Sequence, residues 1–475
     1  MQPTLIGMMV ILAGILISVM GSTSAMMSML MLCGLMAGSA AVVMTALGGS
    51  SIPPIQIALG FLLIRILIST KDFGGRIKAA VTDNVLLIAY VAYGLVGSYV
   101  LPRIFAGAMQ VPPLRFTGLT YIFDTRPLAP TSQNITTAAY LTGTLMIAMC
   151  MHVAISLPRS PIYFLRTALV LAWAHILFGV AGVVVKGTPA EAALDFFRNG
   201  SYAQLDQSYG GFIRINGIFP EASSYADYAF GWFVLITECW LRRIQPRWTG
   251  ITAALLLLLL LFSTSGTAYV ALTGYAVILL IRLLVPGNVM AGRLPIIAGA
   301  LIAAVTLVAI MCVAVPALAT AFSDMILHMT VDKGTSESGL QRAFWAKKGF
   351  EAFSVSYGLG IGPGSFRSSS LGTAILGSMG IIGAVTFTAY LIQILRPLRN
   401  STFVQPSDPL TALGAAASWA AIVSLISSMI SAPSADPGAS FAIFSGVALA
   451  LRARRAVSVP QRNATPSSSL IEQKA

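Results

Sequence analysis

The chain has 475 residues, of which 56% are hydrophobic and only 9% charged, with a mean hydropathy of +0.83. A soluble domain carries about 25% charged residues, so lipid rather than water is the main solvent here. The net charge of +13 does not signal nucleic acid, because Lys and Arg gather in short connections on one side of the apolar runs, as membrane orientation demands.

Apolar runs of about 20 residues without period-2 alternation predict helices, since backbone in hydrocarbon must be satisfied within its own segment. Taken in order, spans are expected at 4–20, 25–47, 53–69, 84–101, 136–156, 165–185, 223–241, 250–264, 267–284, 295–319, 371–395, 410–431 and 439–451. The N-terminal run MQPTLIGMMVILAGILISVM has no basic leader and no clear cleavage site, so it is expected to stay as the first span. The expected fold is all-α and integral to a membrane: a polytopic bundle of about 12–13 transmembrane helices over residues 1–455, with long loops on one face. A Ser-, Pro- and Gln-rich tail at 456–475 is expected to be disordered and cytoplasmic.

Every second connection is short and basic: Lys71, Arg76 and Lys78; Arg159 and Arg166; Arg242, Arg243 and Arg247; Arg282 and Arg293; Arg396 and Arg399; Arg452, Arg454 and Arg455. These predict the cytoplasmic side and place the C-terminus there. The alternate connections include three long ones, at about 102–135, 186–222 and 320–370, which mix both charges with aromatics and glycines. Loops of that length are usually functional or disordered, and this composition points to order.

Several chemistries have no sequence support. There is no P-loop, no G-x-S-x-G elbow and no H-E-x-x-H. His152, His175 and His328 are scattered, and Cys33, Cys150, Cys239 and Cys312 sit singly in apolar runs. No metal or cofactor is therefore expected. Such a chain must draw its energy from an activated substrate or a gradient.

The loop 186–222 ends in GGFIRINGIFPEASSYADYAF, where Arg214 and Glu221 bracket a Gly–Phe–Pro turn before a helix. A guanidinium fork matches two phosphate oxygens, and a carboxylate near low-dielectric walls can act as general base. The same pair equally describes an ion pair pinning the loop, with Glu221 at a helix N-terminus. In the loop 320–370, LQRAFWAKKGFEAF reads as an amphipathic helix carrying Arg342, Lys347 and Lys348. Arg367 and the run Gly358–Gly364 follow. Gly362 and Gly364 would let backbone approach a ligand, or simply form a turn.

The strings R-I-N-G-I-F-P-E-A-S-S-Y-A, R-A-F-W, Y-G-L-G-I-G-P-G-S-F and G-S-M-G-I-I-G resemble those of the O-antigen polymerase/ligase superfamily, over about 210–230 and 340–385. The resemblance implies a GT-C-like, metal-independent inverting glycosyltransferase of the bacterial inner membrane. Its substrate would be an oligosaccharide on undecaprenyl pyrophosphate, transferred at the periplasmic face. It further implies catalytic roles for Arg214, Arg342 and Glu221, with Arg367, Lys348, Gly362 and Gly364 binding substrate. A polymerase would extend a surface or secreted polysaccharide alongside a flippase and a chain-length regulator; a ligase would transfer to lipid A-core. Where ligases of the family carry a His, this chain has Ser369, which favours the polymerase; the R-x10-G pattern of some polymerases is absent at Arg214 and Arg342. The competing reading from another class is a lipid-linked oligosaccharide flippase or other transporter. That reading predicts broken helices and mid-membrane charge, for which Arg65 and Glu238 are the sequence candidates.

Overall fold

The computed structural model describes residues 2–44, 50–69, 72–114, 123–200, 208–209, 212–285, 288–299, 302, 306, 337–396 and 408–453. The tail 456–475 and most of the expected span 295–319 lie outside these residues, as do His328, Lys71 and Arg399.

The helices are α1 (Leu5–Met20), α2 (Thr23–Gly34), α3 (Pro54–Ser69), α4 (Phe73–Asp83), α5 (Val85–Ile104), α6 (Ser132–Ile155), α7 (Ser160–Val184), α8 (Glu191–Asp195), α9 (Ala222–Leu241), α10 (Pro246–Phe262) and α11 (Gly266–Leu283). They continue with α12 (Glu337–Val355), α13 (Leu371–Leu395), α14 (Pro409–Val423), α15 (Leu425–Ser431) and α16 (Gly438–Ala453). Three small sheets complete the described residues: β1 (Gln2–Pro3), β2 (Val42–Met44) and β3 (Ser50–Ile52); β4 (Gln110–Val111) with β5 (Arg126–Pro127); and β6 (Ser208–Tyr209) with β7 (Phe212–Ile213). Among the described residues, six candidate spans are long and apolar enough to cross a membrane, namely α5, α6, α7, α11, α13 and the pair α14–α15. The chain is thus a helical, multi-pass membrane protein. Helices α1, α2, α3, α10 and α16 are shorter apolar helices of 10–17 residues.

Two expectations along the chain are corrected. The run 25–47 is not one helix: α2 stops at Gly34, and Val42–Met44 turns back to pair antiparallel with Ser50–Ile52. Hydrophobicity does not separate the two outcomes, but two close approaches do. A Cβ on Gly38 would lie 2.5 Å from the Ile218 carbonyl oxygen, and Thr4 donates from its backbone N–H to Ala41. The basic connection after α3 holds a helix, α4, which is mostly exposed and polar enough to lie at an interface.

Small residues set the packing of the bundle. Gly446 of α16 abuts the backbone of Ala148 on α6, and the Ala-rich α14 lies between α16 and α9. Without a hydrophobic driving force between helices in lipid, such close backbone approach is the main source of association. It leaves α9 buried along nearly its whole length, from Ala222 to Leu241.

Polar contacts sort to the two ends. At one end Arg76 donates to Ser156, His152 pairs with Asp83 at 2.9 Å, and Glu238 is held by Arg242, Arg282 and Tyr275. At the other end the connections α2–β2, α5–α6, α7–α9, α12–α13 and α15–α16 meet. Ser39 donates to Phe197, Arg367 to Pro112 and Ser368 to Pro433. Glu238, read in the sequence as a possible transport charge, is therefore already neutralised by two guanidinium groups at the basic end.

Candidate functional site

The hairpin β6–β7 delivers the chain to Arg214, and the turn Asn216–Pro220 then leads to Glu221. That turn stands on α7. Gly217 has φ +51 and its would-be Cβ would lie 3.3 Å from the Gly179 nitrogen, while one on Gly179 would lie 2.1 Å from the Tyr225 hydroxyl, so both positions require the absence of a side chain. Beneath it, buried Arg198 donates through Nε to the Gly217 carbonyl at 2.8 Å and pairs with Asp195 at 3.0 Å. In the sequence Arg198 is one charge among several in the loop 186–222; its partner lies 19 residues away, and nothing in local spacing reveals it.

Glu221 is the N-cap of α9 in extended conformation, yet its carboxylate does not cap; it accepts from Ser223 Oγ at 2.8 Å. The local alternative offered by the sequence, a carboxylate pinned by Arg214 in a close ion pair, is not what forms: no described ion pair joins them.

Arg342 sits on α12. Gly349 brings that helix against α13, with its would-be Cβ 2.7 Å from the Thr373 carbonyl oxygen. Ser369 Oγ donates to the Arg342 carbonyl at 2.8 Å, fixing the arginine's backbone to the start of α13. Arg367 is anchored by its backbone N–H to Pro112, by Nη1 to the Leu114 carbonyl at 3.3 Å, and by stacking 4.7 Å over the Trp345 ring.

These three arginines lie within electrostatic range of one carboxylate, Glu221. Burial lowers the proton affinity of Arg214, with the neighbouring positive charge of Arg342 acting in the same direction and Glu221 opposing. Burial likewise lowers those of Arg342 and Arg367, each opposed by Glu221. Neither Arg214 nor Arg342 has a guanidinium hydrogen bond to a described residue, and Arg214 Nε is buried without a partner. Among the described residues, Arg214 and Arg342 are two desolvated cations beside one acid, a surplus of positive charge that a bound anion would relieve.

Lys348 does not join this group. Its ammonium pairs with Glu351 on the same helix at 2.8 Å and lies 5.9 Å from the Phe344 ring. An i,i+3 pair with one exposed partner contributes about 0–0.5 kcal/mol. Lys348→Ala is therefore expected to leave activity within about twofold of wild type, and a larger fall in a turnover assay would place the lysine at the ligand.

The glycine run serves packing rather than approach to a ligand. The N–H groups of Gly360, Ile361 and Gly362 donate to Ser356 Oγ, the Gly377 carbonyl and the Ser378 carbonyl. A Cβ on Gly362 would meet the Gly97 carbonyl oxygen at 2.7 Å, and one on Gly364 would meet the Asn134 Cα at 2.6 Å. Asn134 of α6 seals the loop by donating to the Pro363 carbonyl at 2.8 Å.

The same loop fills a break in α13. Gly380 has φ +58 and ψ −152, so the helix is two halves meeting at a non-helical residue. The freed groups are satisfied by the loop, since Ile381 N–H donates to Gly358 while Gly377 and Ser378 accept from Ile361 and Gly362. Irregular backbone within a span persists only where protein satisfies it.

Among the described residues no group of three His, Cys, Asp or Glu side chains gathers to hold a metal ion. No family model matches the chain, and no curated protein matches it.

Proposed function

We propose that the chain is a GT-C-like, metal-independent inverting glycosyltransferase that polymerises oligosaccharide repeat units carried on undecaprenyl pyrophosphate, at the periplasmic face of a bacterial inner membrane. The observation that carries the proposal is the gathering of Arg214, Arg342 and Arg367 within electrostatic range of Glu221 at the loop-rich end, with Ser369 fixing the Arg342 backbone and Ser223 the Glu221 carboxylate. The acceptor hydroxyl oxygen attacks C1 of the donor sugar as the C1–O bond to the pyrophosphate breaks, and the electron pair leaves with the phosphate. Arg214 and Arg342 stabilise that developing charge, an effect typically worth more than any other single catalytic term. Glu221 takes the hydroxyl proton, with Ser223 orienting its carboxylate.

Two further observations support a polymerase over the alternatives. Ser369, standing where related ligases carry His, is engaged in holding the backbone of Arg342. The break in α13, which a transporter reading anticipates, has its freed groups paired to the 358–362 loop rather than turned to a ligand.

Purified protein supplied with a lipid-pyrophosphate-linked repeat unit should produce a ladder of products. Transfer only when lipid A-core is added would make it a ligase. Movement of the intact lipid-linked unit across a vesicle bilayer, with no new glycosidic bond, would make it a transporter.

A further inference from the structure

The turn joining α10 to α11 reads Ser263-Thr264-Ser265-Gly266-Thr267, in a region where the sequence shows only two apolar runs meeting. Ser263 is accounted for, its Oγ donating to the Leu260 carbonyl at 2.7 Å. The hydroxyls of Thr264, Ser265 and Thr267 are buried with no described hydrogen-bond partner. Ser265 and Thr267 are each 1% exposed. Ser265 occupies the N-cap of α11 without capping it. A buried hydroxyl left unpaired is destabilising, and two in one helical turn would be removed by any pressure for stability alone. Thr264 adds a β-branched residue at φ +48, a conformation such residues adopt where the surroundings impose it.

The first turn of an 18-residue helix presents backbone N–H groups without intrahelical acceptors and the positive end of the helix dipole. Arg214 lies within electrostatic range of Tyr269, whose hydroxyl closes the turn on the Leu261 carbonyl at 2.8 Å. Neutral donors and a guanidinium within electrostatic range of the same turn thus share the loop-rich end.

We propose that the first turn of α11 is a second oxyanion subsite, in which Ser265, Thr267 and the turn's N–H groups hold one phosphate of a diphosphate whose other phosphate is bound by Arg214. This rests on the reading of the arginine site as a diphosphate site. The shared chemistry is a phosphate oxyanion, borne by a lipid carrier or free in solution.

The test measures binding of a polyprenyl diphosphate and of inorganic pyrophosphate to the full chain in lipid nanodiscs. Wild type is compared with Ser265→Ala, Thr267→Val, Thr267→Ser and Arg214→Ala. Each hydroxyl deletion should weaken binding about tenfold, as expected for a hydrogen bond to a charged group, while Thr267→Ser restores it. The ligand-free melting temperature should stay level or rise, because no internal bond is lost; a structural hydroxyl would lower it. Weakening seen only with the polyprenyl diphosphate assigns the subsite to the lipid carrier, and weakening seen with both assigns it to the phosphates alone. If Arg214→Ala abolishes binding while the hydroxyl variants bind as wild type, the subsite is refuted and the arginine site stands. If wild type binds neither diphosphate, both fail.

Discussion

Arg214→Ala and Arg342→Ala should each lower turnover by about 10²–10³-fold, the usual consequence of removing one preorganised donor from a developing oxyanion. Both guanidinium groups are desolvated, and neither is hydrogen-bonded to a described residue. Their removal therefore takes away no hydrogen bond among the described residues and relieves the burial of a charge, so the ligand-free melting temperature should hold or rise. Loss of activity with retained stability is the signature of a group kept for a ligand; loss of both would mark these arginines as structural and remove the basis of the site. Lysine should not substitute, because an ammonium is a point charge where a planar fork meets two oxygens at once. Arg367→Ala should behave differently. Its guanidinium stacks on Trp345 and donates to the Leu114 carbonyl in the α5–α6 connection, so it should lose stability along with activity.

Gly380→Ala should destabilise the protein by about 3 kcal/mol or more, a change seen in the melting temperature of the purified protein and in its yield. Two effects add. The backbone at φ +58, ψ −152 belongs to a region populated almost only by glycine. A Cβ there would also overlap the Gly358 carbonyl oxygen, the group that accepts from Ile381. Displacing it would unseat the 358–362 loop and leave the α13 break unsatisfied within a span, where water cannot replace the lost partners. Gly60→Ala on α3 is the control: no atom lies within 4 Å of its would-be Cβ, so helix propensity makes it neutral or stabilising by up to about 1 kcal/mol. A tolerated Gly380→Ala would show that α13 can close into a continuous helix and that the loop does not hold it open.

The candidate site was only partly legible. Arg214 and Glu221 share one short turn, and Arg342 lies on a helix whose amphipathic spacing is visible, so their residue types alone drew attention. Their proximity was not, because Glu221 opens α9 while Arg342 rides on α12 and Arg367 follows it; the Gly349–Thr373 contact and the Ser369 bond tie only α12 to the start of α13. Lys348 looked equivalent to Arg342 in the sequence and is set apart by its pairing with Glu351 one helical turn away. The glycines at 362 and 364 carried a correct signal of close approach and a wrong partner, since what approaches is the backbone of α5 and α6.

What the sequence determined by itself is the solvent, the element type and the sorting of charge to two ends. Each follows from local chemistry: hydrocarbon admits only self-satisfied backbone, apolar runs of span length read as helices, and Lys and Arg collect where water begins. Only the tertiary structure decided where a helix breaks, which glycines are close contacts, and which charges are paired within the bundle. Those outcomes depend on pairs of residues far apart in the chain, such as Gly380 with Gly358, Arg198 with Gly217, and Arg214 with Tyr269. No composition or spacing encodes a distance between them, because that distance exists only once the helices have packed.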